Sequence, residues 1–381
     1  MASPRFEIYY QISASSAAEA ESLCTKVAYE QSVELPDDVL SAEIRDEIVG
    51  QLSGLNQRSE GVWDAAISYS HASIDESITQ LLNVILGNAS LFRGVRITGL
   101  QWDALPPGLC PGPAFGIDGV REQHHIKNKR ALSCSALKPI GLDSETLATF
   151  CYQFALGGID IIKDDHGMAN QSSAPFSQRL AACTDATKRA MDKTGHKAAY
   201  YPNITGDGAE TLRRYEAAYK AGAGGVLVIP HLCGPGILAQ LSKSEIPLPV
   251  MAHPAFSGSY VLSQTEGLTP DFLYGQLWKE LGADFSIYPN AGGRFSFSLD
   301  ECQAINQACR ATSSGNDNKR NCFPTPGGGV QRQTLPDLLD SYGNDTVFLI
   351  GGSLYQHPKG IEYASRELTE LLQESAEKSD I

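Results

Sequence analysis

The chain of 381 residues contains no C-x-x-C pair and no low-complexity tract. It also has no apolar run of about 18 residues, which excludes a membrane-spanning helix. Its first residues, MASPRFEIYYQI, hold no basic segment leading into a long apolar stretch, so no secretory leader is expected. Basic residues are in short supply, 30 Lys and Arg against 44 Asp and Glu, for a net charge of −14. Binding a nucleic acid needs a basic face to displace counterions, so that partner class is excluded and any phosphate must be held locally. The nine cysteines are odd in number and scattered, which reads as reduced intracellular thiols rather than a disulfide framework or a zinc site. A cytoplasmic protein with no nucleic-acid and no membrane partner is expected.

What is present is an ordinary globular composition, 42% hydrophobic and 19% charged, in a chain long enough for two domains. The grammar changes near residue 125. Before it, strand-like FEIYYQI and WDAAISYS mix with helical AAEAESLCTKVAYEQS and ITQLLNVILGN, as in an α+β domain over 1–124. Over 125–381, short apolar runs ending in Gly, Pro, Asn or charge recur: LSCSALK, IDIIKDD, AAYYPNIT, GVLVIP, PVMAHP, DFSIYPN, CFPTPGG and TVFLIGG. Helically spaced stretches such as SETLATFCYQFALG and AETLRRYEAAYKAG separate most of them. Eight strand and helix units over roughly 250 residues predict a (β/α)8 barrel, with a doubly wound open sheet as the alternative.

Such a barrel carries its chemistry at the C-terminal ends of its strands, and unusual residues fall there. Lys138 ends the first run, Lys163 to His166 the second, Asn203 the third and His253 the fifth. Arg294 lies in a glycine-rich loop after the sixth, Gly328 and Gly329 follow the seventh, and Gly351 and Gly352 the eighth. Backbone N–H groups after the last two strands commonly hold a phosphate. Lys163 stands among Ile159, Ile161 and Ile162, where an unpaired charge is costly. Strand alternation turns Lys163 and Asp165 to one face and Asp164 to the other, which leaves two readings open, a cation site or a structural ion pair. His253 is either a core histidine bonded to backbone or a substrate contact, and Asn203 a strand-end cap or a ligand. His124 and His125, in a polar stretch with Lys127, Lys129 and Arg130, are expected at the surface.

The motifs LKPIGL, GGIDIIKDDH, AHPAF, PNAGGRF, PTPGGG and LIGGSL resemble, in order and spacing, the active-site motifs of the RuBisCO large chain. The resemblance is nearest to RuBisCO-like proteins that fix no carbon, and among them to the 5-methylthioribulose-1-phosphate isomerase group, which shares the DHG variant and the GNAS segment at Gly87–Ser90. It implies a ferredoxin-like N-terminal domain, a carbamylated Lys163 binding magnesium with Asp165 and His166, and Lys138 moving a proton at the substrate carbon. His166 is implied as a metal ligand or an acid–base group. Asn203, His253, Arg294, Gly328, Gly329, Gly351 and Gly352 are implied on a phosphorylated ketose, and Glu30 and Asn88 are implied to reach the partner chain's site in a homodimer.

Departures from the carboxylase pattern argue against carbon fixation. His166 stands where a metal-binding glutamate is expected, which puts the metal in doubt because magnesium prefers oxygen. Ile140 replaces a lysine, Pro254 a phosphate-binding arginine and Ile287 a histidine, while Arg294 takes the place of a mobile-loop lysine. The chemistry left is enediolate formation from a ketose phosphate. The resemblance therefore implies isomerisation of 5-methylthioribulose 1-phosphate, with a 2,3-diketo-5-methylthiopentyl-1-phosphate enolase, a decarboxylase of a 3-oxo sugar-acid phosphate, or a non-catalytic sugar-phosphate sensor as alternatives.

Overall fold

The computed structural model describes residues 3–126, 129–312 and 320–379. They fall into two compact units, one holding residues up to Pro111 with Ser257–Leu277, the other holding Gly112–Phe256, Trp278–Ala311 and the chain from Arg320.

The first unit is a five-stranded sheet in the order Gly267–Leu268, Val95–Leu100, Arg5–Ser13, Val62–Ser70, Gln51–Ser59. Arg5–Ser13 alternates strictly enough to bury Phe6, Ile8, Tyr10 and Ile12 while its other face stays more open, the pattern of an antiparallel sheet covered on one side. Helix Ala17–Glu30 starts where the Ser16 side chain accepts from Glu19 N, and helix Ile78–Leu86 where Ser77 accepts from Gln80 N.

The second unit contains the eight runs read from the sequence as eight parallel strands: Leu132–Leu137, Ile161–Asp164, Ala199–Tyr201, Val226–Val228, Val250–Ala252, Phe285–Pro289, Phe323–Gly327 and Val347–Leu349. They pair in barrel order, and an isolated parallel bridge between Asn203 and Leu227 joins the third to the fourth. Every residue of Leu132–Leu137 is buried, because helices cover one face and the barrel interior the other. Cys134, Ile161, Tyr201, Leu227, Met251, Phe285 and Phe323 fill that interior, and Ile117 and Val120 of helix Gly116–Gln123 join the same cluster. Among the described residues no helix is long and apolar enough to cross a membrane.

Two aspartates tie the N-terminal ends of the strands. Asp160 accepts from both terminal nitrogens of Arg130 at 2.7 and 2.8 Å and from Ser133 N at 2.8 Å. Asp284 accepts from Phe115 N, Gly116 N and Val250 N at 2.7, 2.8 and 2.9 Å. These contacts correct the expectation of a surface stretch around His124. Arg130 is buried against Asp160, and His124 is 3% exposed with Nε2 at 3.1 Å from Tyr201 Oη. A charge that finds a buried partner outranks the polarity of its sequence neighbourhood. His125 and Lys129 are exposed as expected, and Lys127 lies outside the described residues.

Candidate active site

The second barrel strand sets the site. Alternation turns Ile161 and Lys163 inward and Ile162 and Asp164 toward helix Phe176–Thr194. Asp164 is fully buried there, accepting from Arg179 Nε at 3.1 Å, Tyr200 Oη at 2.6 Å and Asn203 N at 2.8 Å. The second charge of the DD pair is thus an architectural one, neutralised by an arginine fifteen residues on. A lone aspartate on the outer face of a buried strand signals such a partner, but the sequence does not say which arginine supplies it.

Lys163 is 2% exposed, and its Nζ donates to Asp164 O at 3.1 Å. Burial lowers its pKa, the nearby ammonium of Lys138 adds to the shift, and Cys134, Asp165 and Asp164 oppose it. Of the two readings left open at Lys163, the ion pair with Asp165 is not the one formed. Asp165 pairs instead with Lys138, Nζ to Oδ2 3.5 Å, and with His166, Nδ1 to Oδ1 3.3 Å, while accepting from Gly167 N at 3.1 Å. Burial alone would raise the Asp165 carboxyl, but the Gly167 N–H, the ammonium groups of Lys163 and Lys138 and the imidazole of His166 bring it below its ordinary value.

Lys138, at the end of the first strand, is anchored through its backbone. Its N–H donates to Tyr355 Oη at 3.1 Å, and that hydroxyl donates to Ala136 O at 3.0 Å. Sequence reasoning missed Tyr355, which no motif singles out. The Lys138 amine is partly open and stands 3.5 Å from where a side-chain carbon on Gly351 would lie, so the loop after the eighth strand borders it.

His166 and His253 stack, with centroids 4.5 Å apart and planes inclined by 12°. Burial holds His166 below the usual imidazole range, and Lys163, Lys138 and Arg294 reinforce this against Asp165. Burial, the ammonium groups of Lys163 and Lys138 and the neighbouring imidazole of His166 push His253 well below it. His253 Nδ1 accepts from Ala255 N at 3.1 Å, which places the proton of the neutral ring on Nε2. His253 is thus bonded to backbone, as one expectation had it, and in contact with the site as well.

Asn203, expected on the substrate, has its amide engaged by the protein. Nδ2 donates to His166 O at 3.0 Å and Met168 O at 2.8 Å, and Oδ1 accepts from Thr205 N at 3.1 Å. It works as a clamp on the loop that carries His166. Arg294 is exposed, with Cζ 5.3 Å from the Phe295 ring centre. Gly328 and Gly329, at φ 81° and 94°, adopt the left-handed backbone that favours glycine, and a side chain on Gly293 would strike the Gly328 carbonyl. Gly352 opens the short helix Gly352–Tyr355. In the first unit, Asn88 Nδ2 donates to Glu30 Oε1 at 2.8 Å.

The donors at the second strand suit magnesium only if Lys163 changes state. An ammonium repels a cation, and among the described residues no group of three or more His, Cys, Asp or Glu side chains gathers as a metal site. A buried amine with a lowered pKa is, however, the form that adds carbon dioxide, and a carbamate would bring oxygen to Asp165. On that condition the residues fit the ion.

Two lysines, a carboxylate and stacked histidines thus gather at the C-terminal mouth of a parallel (β/α)8 barrel, the end at which enzymes of this fold keep their chemistry. The model of the ribulose bisphosphate carboxylase large chain, catalytic domain, matches residues 117–380, and the chain belongs to that family. It is 35% identical over 371 residues, 97% of this chain and 98% of the relative, to ribulose bisphosphate carboxylase-like protein 1 of Rhodopseudomonas palustris. It is 33% identical to the 5-methylthioribulose-1-phosphate isomerase of Rhodospirillum rubrum, covering 92% of each chain. It is also 33% identical to the 2,3-diketo-5-methylthiopentyl-1-phosphate enolase of Bacillus velezensis, over 78% of this chain and 72% of the relative. The crystal structure of a Rubisco-like protein from Rhodopseudomonas palustris superposes with TM-score 0.84 at 33% identity, over 97% of this chain and 98% of that one.

Proposed function

We propose that the protein isomerises 5-methylthioribulose 1-phosphate to a 1-methylthio pentulose 5-phosphate. The observation that carries this reading is that Lys138 and His166 share the carboxylate of Asp165, at 3.5 and 3.3 Å, at the mouth of the barrel. That arrangement gives two proton carriers on one anion, which is what two successive enediolates require. Support comes from the similarity to the 5-methylthioribulose-1-phosphate isomerase of Rhodospirillum rubrum, which covers 92% of this chain.

In the first half-reaction Lys138 takes the proton from C3 of the 2-ketose, the electron pair moves into a 2,3-enediolate, and a proton returns to C2. In the second, the C4 proton leaves, the pair shifts to a 3,4-enediolate, and C3 is reprotonated, leaving the carbonyl at C4. His166, half exposed beside Asp165, carries protons for the second step. The backbone N–H groups of Gly328, Gly329, Gly351 and Gly352 hold the phosphate, so the sugar is fixed at one end while its carbonyl migrates. Magnesium held by carbamylated Lys163, Asp165 and His166 would stabilise enediolate charge. Ile287 is 3% exposed and packs in the barrel core, so the position of the carboxylase histidine offers no polar group to carbon fixation.

A homodimer is the working unit in this reading, with Glu30 and Asn88 of each chain completing the partner's site. Cytoplasmic residence agrees with nine free cysteines.

The test is proton NMR of the purified protein with 5-methylthioribulose 1-phosphate in heavy water. Deuterium should enter next to the migrating carbonyl, with no carbon dioxide formed. Carbon dioxide release from a 3-oxo sugar-acid phosphate would replace the isomerase by a decarboxylase. Turnover of 2,3-diketo-5-methylthiopentyl 1-phosphate alone would make the chain an enolase, and inertness to every candidate would make it a sensor.

A further inference from the structure

The first barrel strand, Leu132–Leu137, lies between the second and the eighth. Backbone groups of alternate residues point to the same neighbour, so the even-numbered residues of this strand bond toward the eighth and the odd-numbered ones toward the second. The bonds formed follow that rule. Leu132 N donates to Thr346 O at 3.0 Å and Cys134 O accepts from Ile350 N at 2.9 Å on one side, while Leu137 O accepts from Asp165 N at 3.2 Å on the other.

The eighth strand is too short to serve the whole of this edge. Its register ends with Leu349 opposite Cys134, and the chain then turns at Gly351 into the short helix Gly352–Tyr355. Ala136 O and Lys138 N point to the same edge but lie beyond that strand, and inward-lying backbone groups left without partners are costly. The Tyr355 hydroxyl takes both, accepting from Lys138 N at 3.1 Å and donating to Ala136 O at 3.0 Å. One oxygen thereby stands in for a peptide group and carries the ladder a step further, to the residue that bears the amine.

The hydroxyl is itself held in place. The Tyr355 ring meets Phe150 and Phe154 of helix Ser144–Leu156 edge-on, with centroids 5.6 and 5.4 Å apart and planes at 77° and 84°, so packing fixes the ring independently of its hydrogen bonds. Burial pushes the Tyr355 phenol up, the Lys138 N–H opposes this, and Cys151 and Asp165 add to it, so the oxygen keeps the proton it donates to Ala136. Lys138 gains less from its own side chain, which is partly open and meets Asp165 at 3.5 Å, beyond the usual hydrogen-bond length.

We propose that Tyr355 is a positioning residue for Lys138: its hydroxyl extends the barrel ladder to that residue and so fixes where the amine stands against Asp165 and the substrate carbon. The inference rests on Lys138 being the proton carrier of the proposed isomerisation. Misplacing a reacting group by about 1 Å costs about 100-fold in rate, so the fastening of one peptide N–H reaches the chemistry.

The experiment uses the full-length protein and Tyr355→Phe, which keeps the ring between Phe150 and Phe154 and removes the hydroxyl alone. With 5-methylthioribulose 1-phosphate in heavy water, kcat for deuterium incorporation should fall by about 10- to 100-fold with KM little changed. Amide hydrogen exchange read by NMR should find Lys138 N–H protected in the unmodified protein and exchanging about tenfold faster or more in the variant. A crystal structure of the variant should show Lys138 Nζ displaced from its 3.5 Å contact with Asp165. A Lys138 amide that exchanges freely in the unmodified protein, a variant crystal structure with that contact intact, or a variant that loses stability while its kcat is unchanged would each overturn the proposal. The structural and exchange readouts do not depend on turnover. An unmodified protein that incorporates no deuterium, beside a variant with Lys138 displaced and its amide exposed, would therefore remove the isomerase reading and uphold the positioning role.

Discussion

The imidazole of His166 lies flat on that of His253, 4.5 Å between centroids and 12° from parallel, joining the second barrel strand to the fifth. Two stacked rings beside Lys163 and Lys138 cannot both hold a proton cheaply, so the pair carries at most one. His253, fixed by Ala255 N, is the rigid member and His166 the movable one.

Replacing His253 by Ala should therefore leave His166 without its backing surface. We expect kcat to fall by about 10- to 100-fold with KM little changed, as for other partners that orient a reacting group. Steady-state kinetics decide this. A change in KM alone would assign His253 to substrate binding instead.

Lys138→Met should abolish deuterium incorporation, a loss of about 100- to 10,000-fold for a proton carrier, while phosphate binding stays close to that of the unmodified protein. Calorimetric titration with the product sugar phosphate measures the second quantity. An equal loss of binding and rate would remove Lys138 from the base role.

Activity should rise on incubation with bicarbonate and magnesium, and Lys163→Ala should fold yet show no response. Carbon-13 NMR with labelled bicarbonate should find a carbamate signal in the unmodified protein and none in the variant. If bicarbonate changes neither rate nor spectrum, Lys163 acts as a plain amine bonded to Asp164 O.

Arg179→Met should cost about 3–5 kcal/mol, because it leaves Asp164 buried with only Tyr200 and Asn203 N as donors. The double variant Arg179→Met/Asp164→Leu should recover part of that loss. Urea midpoints of the three proteins measure both effects.

Burial depresses His124 to about 4, below the ordinary imidazole value, so the folded state binds fewer protons than the unfolded one between those limits. Its contribution is complete above about pH 6.5 and is lost as pH falls toward 4, to a total of about 3 kcal/mol. Asp284 runs the other way. Burial raises it to about 6, so its contribution is present at low pH and is lost as pH rises through 6. The test is the difference between the unmodified protein and His124→Gln across this range, which should narrow steadily as the pH drops. A gap independent of pH would mean that His124 is not buried in its neutral form.

Much of the site was legible because it follows the period of a strand. Ile161 and Lys163 share a face, and Asp164 takes the other, by alternation alone. The partners of those charges were not legible. Lys138 meets Asp165 across two loops, and Arg179 meets Asp164 from a helix whose rotation is set by packing, so neither pairing leaves a mark in local spacing. The same holds for Asn203, whose place at a strand end was clear but whose amide is engaged by the His166 loop. In the first unit, Val95–Leu100 and Gln51–Ser59 escaped the sequence reading because their register comes from pairing with Arg5–Ser13 and Val62–Ser70, and Gln51–Ser59 buries none of its residues fully.

By itself the sequence determined the eight strands, their alternation with helices and the polar residues at their ends, because apolar runs and turn residues act over a few positions. The tertiary structure decided which charges neutralise each other, which histidines stack and why His124 and Arg130 lie inside. Those outcomes depend on desolvation and on partners far apart in the chain, and only the closed barrel brings them within a few ångströms.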